Sequence, residues 1–245
     1  MHFYWELNLA TEMGTTDSLD QAQNVQGMFS RIAKRYDLMN RLMTAGQDTR
    51  WRREVIRKSN LRTDGWLLDL GTGTGDLARE ACWRVPGCTA VAADFTLDMM
   101  RVGKAKFPEL ELNWSGANAL RLPFSNEVFD AVVSGFLLRN VTDIQASLKE
   151  QLRVLKPRGY IVALDTTRPP ENKLRLLIDI YLHVIIPSLG KWITGDREAY
   201  TYLPDTTEAF LEAEQLAAYL EGAGFKQVSF KRLMFGTIAI HWGMK

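Results

Sequence analysis

The residues most able to do chemistry lie in Leu67-Leu68-Asp69-Leu70-Gly71-Thr72-Gly73-Thr74-Gly75-Asp76, an apolar run that breaks into alternating glycines. Such a run reads as a strand entering a tight turn ahead of a helix. Glycine permits the positive φ or close backbone approach that a ligand demands, and the helix that follows presents unpaired N–H groups. A dinucleotide fingerprint, G-x-G-x-x-G, would carry its third glycine where this chain has Asp76. A carboxylate at the helix mouth repels a pyrophosphate but suits the ammonium and sulfonium groups of S-adenosylmethionine. The loop, Gly71, Thr72, Gly73, Thr74 and Asp76, therefore points to a cationic methyl donor rather than NAD. The alternative is a Gly-rich strand-to-helix turn that binds nothing. Asp94 weighs against it, because an acid roughly 20 residues beyond the glycines, at the end of a second strand, is placed to accept both ribose hydroxyls. Asn118 falls at the carboxyl end of a third strand, the edge where open α/β sheets bind ligands, so its amide can hydrogen-bond adenine.

These groups need a scaffold of alternating strands and helices. The pattern predicts strands over Leu67–Leu70, Thr89–Ala93, Glu111–Ser115, Phe129–Ser134 and Tyr160–Leu164. Helices are expected over Asp76–Arg84, Thr96–Lys106, Thr142–Leu155 and Glu212–Glu221, and Phe225–Leu233 with Phe235–His241 reads as a terminal hairpin. The alternation implies a doubly wound, mainly parallel sheet. Upstream, residues 1–24 read as a loosely ordered arm. Val25, Met28, Phe29 and Ile32 then open a helical cap over residues 25–60, with a second helix around Trp51–Ser59. Leu174, Leu177, Ile178, Tyr181, Leu182 and Ile185 follow helical spacing and make an amphipathic helix within a lid-like insertion over residues 170–207. Arg175, Asp179, His183, Pro187 and Lys191 make this stretch a poor membrane span and a better lid or membrane-facing flap.

Composition narrows the classes further. With 46% hydrophobic residues in 245, one α/β domain spanning residues 25–245 can bury a sizeable core. Lys and Arg number 30 against 29 Asp and Glu, a formal charge of +1, which supplies no global field for gripping nucleic acid. Cys82 and Cys88 have no His or Cys partner at metal-ligand spacing and read as buried or incidental thiols, so no metal is expected. Met1–Gln26 shows no secretion pattern, which makes the cytoplasm the expected location.

Four longer runs carry a family resemblance: Ala33-Lys34-Arg35-Tyr36-Asp37-Leu38-Met39-Asn40, Leu68–Leu77, Leu138-Arg139-Asn140-Val141-Thr142-Asp143 and Arg153-Val154-Leu155-Lys156-Pro157. With His183-Val184, Gly195–Tyr200, Tyr202-Leu203-Pro204 and Ile238–His241, they resemble the quinone-biosynthesis C-methyltransferases of the menaquinone and ubiquinone type, from about Val25 to the C-terminus. The resemblance implies a Rossmann-like class I S-adenosylmethionine-dependent methyltransferase, its seven-stranded sheet ending in an antiparallel hairpin strand. It implies that Tyr36, Thr74, Asp94, Asn118 and Ala119 contact the donor. Gly135 stands where the family carries a serine, so contact there is through backbone. Asp165-Thr166-Thr167-Arg168-Pro169 replaces the family's Glu-Phe-Ser-Lys/Arg-Pro.

The implied acceptor is a reduced polyprenyl quinone, demethylmenaquinol foremost, with the ubiquinone-pathway benzoquinol as the alternative. A non-catalytic donor-binding subunit of a quinone-synthesis complex is the reading from another class. A ring carbon attacks well only when a ring hydroxyl loses its proton, and a phenol's pKa is about 10. Arg139, always protonated, suits a developing phenolate, while Asn140 orients a hydroxyl. His183 suits the proton, with Asp179 four residues earlier to raise its basicity; an ordinary surface pair is the competing account. Tyr200 and Tyr202 line the pocket or simply pack. The apolar face of Leu174–Ile185 covers the prenyl tail, dips into lipid or packs in the core. Peripheral contact with the inner face of the cell membrane and a homodimer are left open.

Overall fold

Strands whose residues are apolar on both sides occupy the middle of the sheet, and the mixed ones lie at its edges. The computed structural model describes residues 16–109, 112–169, 175–188, 206–207 and 209–245. Its strands are β1 (Trp66–Leu70), β2 (Thr89–Asp94), β3 (Asn113–Gly116), β4 (Phe129–Gly135), β5 (Leu155–Thr166), β6 (Lys226–Leu233) and β7 (Ile238–Met244). They form one seven-stranded sheet in the order β3-β2-β1-β4-β5-β7-β6. All pairings from β3 to β5 are parallel, and β7 runs antiparallel between β5 and β6. The chain winds outward from β1 through β2 and β3, then returns to β4 on the other side of β1. That reversal opens a crevice beyond the carboxyl ends of β1 and β4.

Side chains alternate across the sheet with period 2, so neighbours on one strand feed opposite cores. Leu67, Ala131 and Val133 pack with Trp51, Val55, Ala78 and Ala81, on the face covered by α2 (Asp48–Lys58) and α3 (Asp76–Arg84). Leu68 and Val132 pack with Leu148, Val154, Leu216 and Leu220, on the face covered by α5 (Ile144–Val154) and α7 (Ala213–Ala223). Leu67 and Leu68 are both fully buried, each stabilising the fold by roughly 1.5–3 kcal/mol. The α4 helix (Leu97–Lys106) follows β2 and packs against α1 (Thr16–Met43).

Several boundaries differ from the pattern reading. Residues 16–24, expected in the arm, are helical, and α1 runs unbroken to Met43 through Arg35–Asn40. The helix carries Gly27 without breaking, no Gly or Pro falls between Met28 and Met43, and Met28, Ile32, Met39 and Met43 hold one packed face along it. β5 begins at Leu155 rather than Tyr160, because Lys156–Gly159 continues the strand across a register shift. Phe235 was expected in the last strand. Instead Met234, Phe235 and Gly236 take left-handed φ in succession (47°, 56° and 90°), which ends the extended run, so β7 starts at Ile238.

The amphipathic helix divides into α6 (Arg175–Ile180) and a π turn, Tyr181–Ile185. A π turn takes one extra residue, which rotates the following positions around the axis. Ile178, Leu182 and Ile186 are thereby buried, while Ile185, expected inward, is exposed. Residues 170–174 and 189–205, including Tyr200 and Tyr202 and most of the lid-like insertion, lie outside the described residues. Cys82 and Cys88 are free, partly buried, and hydrogen-bonded to one another.

Candidate active site

Gly71, Gly73 and Gly75 take φ of 68°, 57° and 85°, the left-handed region that glycine enters without steric cost. A Cβ on Gly71 would stand 2.8 Å from Leu137 Cδ1, so close approach as well as φ requires glycine there. The loop is tied to β2: Gly71 and Thr72 N–H donate to Ala93 O, at 2.8 and 3.0 Å. Asp94 is clamped by the backbone, its Oδ2 accepting from Gly73 N–H and its Oδ1 from Thr96 N–H, both at 2.7 Å. Burial pushes the Asp94 carboxyl above the ordinary aspartate range, and those two N–H groups oppose the shift.

A cavity opens in the crevice. Gly71, Gly73, Asp94, Asn118, Ala119, Gly135 and Tyr36 line it, seven of the residues expected around the donor, and Asn140 lines it too. Asn118 Oδ1 accepts from Leu120 N–H at 2.9 Å, and Asn140 Nδ2 donates to Phe136 O at 2.9 Å. The α1 helix closes the cavity from above with Val25, Phe29 and Tyr36, and Gln26 Nε2 donates to Phe95 O at 3.2 Å. Phe95 and Phe136 were not singled out in the sequence as site residues, and Phe29 was read only as part of the helical cap. Phe136 alone carried a signal, its place at the exit of β4, and it takes a left-handed φ of 60° there.

Three of the expected donor contacts turn elsewhere. Asp76 does not face the cavity: its Oδ2 pairs with Arg52 Nη1 at 2.9 Å, and its Oδ1 with Arg79 at 3.1 Å and Lys106 at 3.4 Å. It joins α2, α3 and α4, so its charge is answered by three cations and the sulfonium argument built on it fails. Thr74 Oγ1 donates to Asp37 Oδ1 at 2.8 Å, fastening the loop to α1, and Lys106 also pairs with Asp37. Thr72 Oγ1 donates to Asp69 Oδ2 at 2.6 Å.

Asp69 is fully buried beneath the loop and also accepts from Ala78 N–H at 2.9 Å, which holds the start of α3. Burial pushes its carboxyl up to about 7, against the pull of those two hydrogen bonds. The folded state therefore keeps a proton here that the unfolded chain releases above the ordinary carboxylate pKa. This contribution to stability is present in acid and lost as pH rises through about 7. His241 acts in the opposite sense: buried, with Nε2 2.8 Å from Ala213 O, it is pushed down to about 4, so its contribution is lost as pH falls through about 4. Asp69→Asn should remove only the first effect. Thermal melts between pH 4 and 7 should then show a more positive slope of stability against pH in the variant. Parallel slopes would place the proton elsewhere.

A second cavity adjoins the first, and Phe136 lines both. Its wall carries Asn40, Met43, Arg139, Thr166, Tyr181, Leu182, Ile186 and Met234. The Tyr36 hydroxyl, on the first cavity, hydrogen-bonds the Asn40 side chain, on the second, and burial raises the Tyr36 pKa despite that bond. Arg139 is buried, its Nε 4.0 Å from Asp165 Oδ1 and its guanidinium 5.1 Å from the Phe136 ring. Asp165 is fully buried; burial raises its pKa, with Arg139 opposing. Arg139 Nε and Thr166 Oγ1 are buried with no hydrogen-bond partner. Thr166 was missed, since a lone threonine at a strand end carries no distinctive signal. His183 is exposed on the π turn and lines neither cavity.

Among the described residues no group of acids, histidines or cysteines could hold a metal ion, and no helix is long and apolar enough to cross a membrane. Solved structures share the fold: the [4+2]-cyclase SpnF superimposes with a TM-score of 0.67 at 17% identity, covering 91% of this chain and 96% of that one. An S-adenosylmethionine-dependent methyltransferase from Aquifex aeolicus gives 0.56 at 19%, covering 79% and 88%. A cyclase among them shows that the fold alone does not name a reaction. Sequence relatives are much nearer. A ubiquinone/menaquinone biosynthesis C-methyltransferase from Desulfotalea psychrophila is 44% identical, over 93% of this chain and 92% of its own. A demethylmenaquinone methyltransferase from Thermus thermophilus is 43% identical, over 88% and 99%. Residues 16–245 match the model of the ubiE/COQ5 methyltransferase family, and with this S-adenosylmethionine-type cavity and these relatives, the chain belongs to that family.

Proposed function

We propose that this chain methylates a ring carbon of a reduced polyprenyl quinone, with S-adenosylmethionine as donor and demethylmenaquinol as acceptor. The observation that carries the acceptor assignment is the wall of the second cavity, where Arg139 and Thr166 each hold a buried polar atom, Nε and Oγ1, with no hydrogen-bond partner, Nε keeping only its ion pair with Asp165 at 4.0 Å. A buried polar group left unsatisfied costs about 1–3 kcal/mol. Two on one wall, beside Phe136 and the donor cavity, suit a ring oxygen of a quinol. The names of the Desulfotalea and Thermus relatives support the same acceptor class.

The donor brings an already activated methyl group. What remains for the protein is to align the ring behind it, exclude water and stabilise charge on the quinol oxygen. Asp94 and the glycine loop hold the donor side. Arg139 meets the developing phenolate, and Phe136 separates the two compartments. Arg139 cannot take the proton, because guanidinium stays charged. Neither His183 nor Asp165 lines either cavity, so neither is assigned that proton; Asp165, buried beside the same guanidinium, positions Arg139. Asn140 lies on the donor cavity, where it holds the turn after β4 through Phe136 O.

Purified protein offered demethylmenaquinol and the demethylated ubiquinone-pathway benzoquinol, both reduced, should yield C-methylated menaquinol by mass spectrometry. Donor binding without turnover of either would make the chain a non-catalytic subunit, and O-methylation of simple phenols alone would overturn the reading. Thr166→Val, which keeps the shape and removes the hydroxyl, should raise KM for the quinol roughly 10-fold with donor affinity unchanged.

A further inference from the structure

Cys82 and Cys88 line neither cavity and take no part in the chemistry above. Separated in sequence, they meet because of a turn. Cys82 sits in the last turn of α3, which ends at Arg84. Val85-Pro86-Gly87-Cys88 then folds back: Cys88 N–H donates to Val85 O at 3.1 Å, and Gly87 takes a φ of 86°. Proline in the second place and a left-handed glycine in the third are what a type II turn favours. A Cβ on Gly87 would also stand 3.2 Å from Asp64 Oδ1, so space as well as φ favours glycine there. The turn sets Cys88, the residue before β2, against the end of α3, and the two thiols hydrogen-bond. Both are partly exposed, with Trp83, Arg84, Pro86 and Gly87 exposed around them, so small solutes reach them.

The two thiols are chemically unequal. The hydrogen bond from Cys88 pushes the Cys82 thiol down to about 7, with burial opposing, while the same bond and burial raise Cys88. Cys82 therefore supplies thiolate near neutral pH, and thiolate is the nucleophile. We propose that Cys82 and Cys88 form a reversible dithiol–disulfide couple, oxidised by hydrogen peroxide, that staples the end of α3 to the start of β2. The Cys82 sulfur attacks one peroxide oxygen; an S–O bond forms, the O–O bond breaks, and the leaving hydroxide takes up a proton to become water. The Cys88 sulfur then attacks the Cys82 sulfenic acid. An S–S bond forms, the S–O bond breaks, and the second water leaves with the Cys88 proton. Two thiols are oxidised and one peroxide is reduced, giving one disulfide and two waters. Because α3 starts beside the glycine loop and β2 ends at Asp94, the staple joins the far ends of two elements that frame the donor side.

The test treats the whole reduced chain with hydrogen peroxide near stoichiometry. Intact mass should fall by two hydrogens, peptide mapping should join Cys82 to Cys88, and dithiothreitol should restore the starting mass. The oxidised monomer should melt roughly 5 °C higher than the reduced one, since a bridge across a preset turn removes freedom mainly from the unfolded chain. Iodoacetamide at neutral pH should label Cys82 ahead of Cys88. Cys88→Ala, which takes away the hydrogen bond, should slow that labelling roughly 10-fold. In Cys88→Ser, oxidation should stop at a sulfenic acid on Cys82 that dimedone traps. Sulfinic acid or intermolecular crosslinks in place of the internal bridge, a bridge that lowers the melting temperature, or Cys88 labelled as fast as Cys82 would overturn the proposal. The wild-type measurements decide the matter if either variant fails to fold.

Discussion

Replacing Arg139 by alanine should lower kcat and kcat/KM together by roughly 10²–10³-fold, with S-adenosylmethionine affinity nearly intact. The split follows from position, since Arg139 lines the second cavity and not the first. It also follows from timing, because a cation that meets phenolate only as charge develops contributes to the transition state and little to binding. The substitution removes a buried cation beside Asp165, so part of any loss could come from the fold. The Asp165 carboxyl, already favoured in its protonated form by burial, can answer that loss by keeping its proton. Comparing Arg139→Ala with Arg139→Ala/Asp165→Asn separates the two causes, as the second variant carries no titratable group there. Calorimetric titration with S-adenosylmethionine is the control. A fall in donor affinity as large as the fall in kcat would move Arg139 to the donor side.

Asp94→Ala should weaken donor binding by about 1.5–3 kcal/mol, roughly 10- to 150-fold in Kd. The carboxylate is held by Gly73 N–H and Thr96 N–H, so its acceptor directions are set before any ligand arrives. Its pKa is raised by burial, which adds a signature that a purely structural residue would lack. Donor affinity in the wild type should fall on the acid side at a pH above the usual aspartate range, as the carboxylate takes up its proton. The alanine variant should show no such limb. Unchanged affinity in the variant would remove Asp94 from the donor site.

Much of the donor side was legible in the chain because its signals are local. Alternating glycines with left-handed φ, an apolar strand ahead of them and an acid at the end of the next strand are all short-range patterns, and the crevice forms where those patterns place it. The doubly wound order was likewise readable from alternating periodicity, as was the reversed final strand from its hairpin.

Side-chain direction was not legible, because it is decided by partners far away in sequence. Asp76 looked like a ligand group until Arg52 and Lys106, from two other helices, claimed its oxygens. Thr74 found Asp37 across 37 residues in the same way. The apolar spacing presumed an unbroken α-helix, and a π turn over Tyr181–Ile185 left Ile185 exposed and buried Ile186. The second cavity is the extreme case. Asn40 and Met43 come from α1, Phe136 and Arg139 from the exit of β4, Thr166 from the end of β5 and Tyr181 from the π turn, so no window of sequence contains it. The sequence alone determined that a methyl donor's loop would sit at the switch point of an α/β sheet. Only tertiary packing could bring two unsatisfied donors to one apolar wall beside it, since burial without a partner is a property of the assembled surroundings and not of either residue.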